Sequence, residues 1–275
     1  MSAAARVIDR DARIVGRGLH GGAPSSVRFA RCDGPAILRS AGCEVAIADL
    51  RVLATERSTT LGAGGVRVAT VEHLFAALAA LGARSGFAID VDGPEIPLAG
   101  GGAAELFDAI ASLALPAEPP SIVVARAGEI AVGDARYRFE EGDGVDVEVE
   151  VDFDDARLAK HARWRGDAAD FRVRIATART FGFAREVDAL LARGLASHVT
   201  PESVVVVCED RVLSAGAPFA ADEPARHKLL DLVGDMYAHG GPPRGRVRAT
   251  RPGHAATNEA MLAALSMGLV VTARR

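Results

Sequence analysis

The chain has 275 residues, 49% of them hydrophobic, and a formal net charge of -4: long enough for one large domain or two ordinary ones with a substantial core, too acidic for a nucleic-acid surface as its main purpose, and without an apolar run of membrane-spanning length. Arg6, Asp9, Arg10, Asp11 and Arg13 break up the first eighteen residues, so no signal-peptide core is expected. Cys32, Cys43 and Cys208 are odd in number and scattered, which suits neither a disulfide frame nor a CxxC site and points to a reducing cytoplasm.

Residues 27–29, 66–68 and 87–91 read as short strands, apolar and β-branched runs between turn residues. A helix is predicted over 71–81, with Leu74, Phe75, Leu78 and Leu81 at helical spacing and Thr70 as N-cap. Leu106, Phe107, Ile110 and Leu113 predict a second over 103–115. Pro116, Pro119 and Pro120 then interrupt the chain and mark a linker. Beyond it, 122–124, 145–151 and 204–207 read as strands, and helices are predicted near 185–193, 225–239 and 258–270. Both halves mix strands and helices in comparable order, so the expectation is two related α+β domains, 1–117 and 118–275.

At about 100° per residue, His227, Lys228, Asp231 and Asp235 share one side of the 225–239 helix, while Leu229, Leu230, Leu232, Val233, Met236 and Tyr237 cover the rest. Charges on a helix are usually solvated surface. This stripe, however, carries metal-ligand types at ligand spacing, because His227 and Asp231 lean from one face a turn apart. Such a pair plus one distant His makes a three-ligand set with an open fourth position, as a hydrolytic zinc site requires. The segment Thr70-Val71-Glu72-His73-Leu74 supplies His73, with Glu72 placed beside the water such a site would hold. The layout is that of a metal-dependent hydrolase. Lys160 and Lys228 are the only lysines and Asn258 the only asparagine. Lys228 adjoins His227 and Asn258 follows His254 by one turn, which supports a need for an ammonium and a carboxamide there. His161, His198 and His239 have no comparable setting, and the Gly100-Gly101-Gly102 run is no phosphate loop, since no GK[ST] follows it.

The segments GRGLHGG (16–22), TVEHL (70–74), ARTFGF (178–183), RHKLLDLVGD (226–235) and GHAATNEAML (253–262) occur in this order across most of the chain. In this the sequence resembles the UDP-3-O-acyl-N-acetylglucosamine deacetylase (LpxC) family, zinc amidases that remove acetate from an acylated UDP-glucosamine on the way to lipid A. The resemblance implies two α/β-sandwich domains, each with sheets packed against a helix pair, and an active site between them. It implies His73, His227 and Asp231 as ligands of zinc, with ferrous iron the alternative ion. It makes Glu72 the general base, His254 the general acid or electrostatic partner at the leaving amine, and Asp235 the carboxylate that orients and charges His254. Thr180 would hold the oxyanion; Lys228 and Phe181 would meet the substrate, and Asn258 is placed in the same group. His20 matches the family and is read as shaping a turn. The expected partner is a small molecule, an acylated UDP-amino sugar, bound by a cytoplasmic monomer that is not an integral membrane protein and takes no nucleic acid.

Four stretches depart from the family's usual pattern. Ala99-Gly100-Gly101-Gly102 follows Glu95-Ile96-Pro97 where Asp-Gly-Ser is usual, and Ala83-Arg84-Ser85 replaces Ile-Asp-Asn. Asp154-Asp155-Ala156-Arg157 stands for a His-Pro motif, and Ser197-His198 for a Gly-Gly pair near the implied acyl passage. These changes bear on substrate and motivate two alternatives. One is the same deacetylation on another N-acyl amino sugar; the other is a binder of acylated nucleotide sugar without turnover, against which the intact ligands, Glu72 and His254 weigh. A phosphohydrolase is disfavoured because no adjacent His-Asp dipeptide is present.

Overall fold

The computed structural model describes residues 12–98, 100–186 and 204–273. In the first half, β1 (Ala12–Arg17), β2 (Pro24–Pro35), β3 (Ile37–Ser40) and β4 (Cys43–Ala46) are followed by a small sheet of β5 (Arg51–Ala54), β6 (Thr60–Ala63) and β7 (Val66–Val68). Helix α1 (Glu72–Leu81), β8 (Ser85–Asp92) and helix α2 (Ala104–Ala111) complete it. After a stretch without regular structure around the three prolines come β9 (Ile122–Val124), β10 (Gly128–Val132), β11 (Ala135–Glu140), β12 (Val145–Glu150) and β13 (His161–Trp164). A second small sheet takes β14 (Thr180–Phe183), β15 (Val204–Val207) and β16 (Val212–Leu213). Helix α3 (Glu223–Tyr237), β17 (Gly245–Thr250), helix α4 (His254–Ser266) and β18 (Val270–Thr272) follow, with β18 pairing back on β9.

The two five-stranded sheets have one topology. The first is ordered β1-β2-β8-β3-β4 and the second β10-β11-β17-β12-β13. In each, a central strand that follows a helix pairs antiparallel on one side (β8 with β2, β17 with β11) and parallel on the other (β8 with β3, β17 with β12). In each, the helix before that strand is preceded by a small inserted sheet. The fold is therefore α+β, with two related halves, as expected.

Period-two patterning sets the sheet faces: Ala135, Tyr137 and Phe139 of β11 are buried while Arg136, Arg138 and Glu140 are exposed. Helix α1 is apolar nearly all round and is buried on nearly all sides. It packs against α2 and α3; α3 packs against α4, β12 and β13, while α2 meets β1 and α4 meets β10. Most of the buried apolar residues join in one continuous core.

Several boundaries differ from the sequence expectation. Thr70 is not the N-cap of α1: Val71 holds that position without a side-chain cap, and Thr70 adopts a left-handed φ of 58° with its hydroxyl on Glu95 Oε2 at 3.3 Å. Helix α2 ends at Ala111 and not at 115, because Ala114 turns left-handed (φ 48°) ahead of Pro116. Helix α3 begins at Glu223, two residues early, with Pro224 in its first turn, where its missing N–H removes no helical bond. Helix α4 begins at His254, four residues early, since extended Gly253 is its N-cap; it ends before left-handed Gly268, and Val270 belongs to β18. The helix expected near 185–193 falls largely outside the described residues, as do Ser197 and His198.

Candidate active site

The polar stripe of α3 faces the start of α1, not solvent. His227, Asp231 and Asp235 are 4–6% exposed, Glu72 3% and His73 4%. The helices can approach this closely because Gly234 lies at the contact: a Cβ built there would stand 1.9 Å from the Glu72 carbonyl oxygen. Gly102 makes a second close approach. A Cβ there would stand 2.4 Å from the carbonyl oxygen of Ala176 and 2.9 Å from that of Ala178.

These backbone contacts orient the two histidines. His73 Nδ1 lies 3.1 Å from the Gly102 carbonyl oxygen, and His227 Nδ1 lies 3.0 Å from that of Ala178. With each Nδ1–H donating to a carbonyl, each Nε2 keeps its lone pair for a metal. His73 Nε2 and His227 Nε2 stand 3.9 and 3.5 Å from Asp231 Oδ1, and the ligand atoms of the three residues lie within 4.8 Å of one another. A tetrahedral ion with bonds of about 2.0–2.2 Å separates its ligand atoms by roughly 3.3–3.6 Å. Two buried neutral imidazoles and one buried carboxylate thus fit a divalent cation in chemistry and spacing.

Charge states agree with this. Burial, helped by neighbouring His227, lowers the His73 imidazole to about 4, and burial also lowers His227. Burial alone would raise Asp231, but Lys228 and the surrounding histidines outweigh it and hold the carboxyl well below the usual range. Lys228 Nζ donates to Asp231 Oδ2 at 2.8 Å and lies 6.0 Å from the centroid of Phe181, whose ring also meets His227 edge-on at 6.0 Å.

Beside the ligands, burial raises Glu72 to about 7, against the pull of His254. His254 Nδ1 is 2.9 Å from Asp235 Oδ2. Burial would lower this imidazole, but Asp235 outweighs it and the pKa stands at about 10. Thr180 opens β14, where both its N–H (2.7 Å) and its hydroxyl (3.1 Å) donate to the Gly101 carbonyl oxygen. Asn258 lies one turn beyond His254 and adjoins His239.

With this geometry in place, likeness to known proteins is decisive. Residues 5–266 match the model of the family described as UDP-3-O-acyl N-acetylglycosamine deacetylase. The chain belongs to that family. Proteins named UDP-3-O-acyl-N-acetylglucosamine deacetylase from Brucella melitensis, Brucella ovis and Brucella abortus are each 34% identical to it over 277 aligned positions, covering 97% of this chain and 96% of theirs.

Among the deacetylase-family departures, two are occupied with internal contacts. Arg84 donates to the carbonyl oxygens of Gly240 (3.0 Å) and Gly241 (3.1 Å) and lies over the Tyr237 ring. Arg157 pairs with Asp155 and donates to the Cys208 carbonyl oxygen. Both arginines stitch the chain to itself. Exposed His161 of edge strand β13 pairs with buried Glu148 of β12 at 2.9 Å.

Sequence reasoning overlooked Thr59, whose hydroxyl donates to Asp235 Oδ1 at 2.6 Å and whose N–H donates to Glu72 Oε2 at 3.0 Å. A signal was present: Ser58-Thr59-Thr60 is a run of three hydroxyls, and all three prove buried. Glu95 was noted only as part of Glu-Ile-Pro. It accepts from the N–H groups of His20 (3.0 Å) and Gly21 (2.6 Å) and so holds the 18–22 turn against the entry to α1.

Proposed function

We propose that this chain is a cytoplasmic zinc-dependent amidase that removes acetate from UDP-3-O-acyl-N-acetylglucosamine in lipid A synthesis. The observation that carries this reading is the buried His73–His227–Asp231 donor set with Glu72 beside it, in a member of the deacetylase family. The relatives' name supplies the substrate. No helix among the described residues is long and apolar enough to cross a membrane, in keeping with a small-molecule partner met in water. We place the two domains at 1–117 and 118–275, with His73 and Glu72 from one, His227, Asp231 and His254 from the other, and the working unit a monomer.

His73, His227 and Asp231 would hold a divalent ion, which would supply Lewis acidity for the amide carbonyl and lower the pKa of water toward neutrality. Glu72 in its carboxylate form accepts the proton of the attacking water. Held as a cation by Asp235, His254 delivers a proton to the departing amine, so that acetate and the free amine leave with charges balanced. The single O–H of Thr180 turns from the Gly101 carbonyl toward the developing oxyanion. Lys228 and Phe181 face the sugar and its anionic groups, and Asn258 supports the same side.

Acetate release from UDP-3-O-(3-hydroxyacyl)-N-acetylglucosamine by zinc-loaded protein tests this directly. Glu72→Ala should lower kcat by about 100- to 10,000-fold, the usual contribution of a positioned base, with zinc content unchanged. A folded, zinc-loaded wild-type protein that releases no acetate would sink the assignment.

A further inference from the structure

Thr59 uses all three of its polar groups at the active site. Its carbonyl oxygen accepts from Val71 N–H at 3.2 Å, at the entrance of α1; its N–H donates to Glu72 Oε2, and its hydroxyl to Asp235 Oδ1. The residue is 2% exposed and stands immediately before β6, two positions after left-handed Arg57. It leads into a strand of the small sheet inserted in the first half, yet its hydroxyl reaches α3 in the second.

Asp235 thereby has both oxygens engaged, Oδ1 by Thr59 and Oδ2 by His254. A carboxylate held on one oxygen alone can swing about its Cβ–Cγ bond; one held on both is fixed in plane. Hydrogen bonds to a charged acceptor are the stronger kind, and in a buried site they set where the next group stands. We infer that Thr59 is a positioning residue: through its hydroxyl on Asp235 it fixes the orientation of His254, and through its N–H it fixes Glu72, so the two proton-handling groups keep one spacing. This rests on the amidase reading above, in which Glu72 and His254 act on opposite sides of one amide.

The test separates the hydroxyl from the packing. Thr59→Val keeps the shape and removes the donor, while Thr59→Ser keeps the donor and removes a methyl. With zinc-loaded protein, Thr59→Val should lower kcat about 10- to 100-fold, the scale set by misplacing a catalytic group, with KM and zinc content near wild type. Thr59→Ser should restore most of kcat. In an Asp235→Asn background, Thr59→Val should add at most a few-fold, because the group it acts through has already lost its charge. Thr59→Ala, compared with Thr59→Ser, reads the same contrast if the valine is poorly accommodated. Wild-type kcat in Thr59→Val, equal losses in the serine and valine variants, or a full additional loss in the double variant would each overturn the inference. Absence of turnover in the wild type would instead overturn the amidase reading.

Discussion

Glu72 and His254 share one buried site and are pushed the same way for opposite reasons. Burial disfavours the carboxylate of Glu72 and raises it to about 7, whereas Asp235 overrides burial and raises His254 to about 10. A base that works as the anion and an acid that works as the cation then coexist between those values, and kcat/KM should rise with pH through about 7 and fall through about 10. Asp235→Asn should move the alkaline limb down toward or below the ordinary imidazole value of about 6.5, because burial then acts on His254 without its counter-charge. It should move the acid limb less, because at Glu72 the lost upward push of Asp235 and the lost downward pull of the His254 cation oppose each other. The variant should lose far more activity at pH 8.5 than at pH 6.5. A pH–rate profile of kcat/KM checks this, and an unmoved alkaline limb would remove His254 from the acid role.

Two helices and two glycines determine how close these residues come. Gly234 lets α3 approach the Glu72 carbonyl, and Gly102 lets its own loop approach the 176–178 backbone. An alanine inside an exposed helix would normally gain up to about 1 kcal/mol over glycine. At Gly234 the new methyl would meet backbone, which cannot swing aside, so overpacking should win and destabilise by about 1–3 kcal/mol. Gly234→Ala is expected to shift the urea midpoint downward and to reduce kcat by displacing Glu72. A midpoint at or above wild type would show that the helices separate without penalty. The helical pattern announced both helices, yet neither glycine was informative beforehand: Gly234 falls within an ordinary helical pattern of apolar and acidic residues, and only the partner helix reveals why it is there. Thr70 misled for a related reason. Its type suits an N-cap, but Glu95, distant in sequence, draws its hydroxyl away and the residue turns left-handed.

At the scale of the molecule, the repeated sheet topology places α1 and α3, corresponding helices of the two halves, against each other, and the ligand set is divided between them. Metal binding should therefore tie the halves. Zinc at one hundred times its Kd stabilises by about 2.7 kcal/mol, which for a chain of this size raises Tm by roughly 5–11 °C. Differential scanning calorimetry with and without chelator measures the shift, and His73→Ala should abolish it; a zinc shift that survives in His73→Ala would place the ion elsewhere. The sequence by itself determined the family, since five motifs in order carry it, and residue types at helical spacing singled out His73, His227 and Asp231 as a candidate donor set without any fold. It also determined that strands and helices alternate in two comparable halves, because burial patterns are written in local periodicity. Only the tertiary structure decided that the polar stripe of α3 is buried, that Gly102 and Ala178 carbonyls set the histidine tautomers, and that Thr59 joins Glu72 to Asp235. Those are contacts between residues up to 176 positions apart, and no local pattern encodes a partner that the chain reaches only after folding.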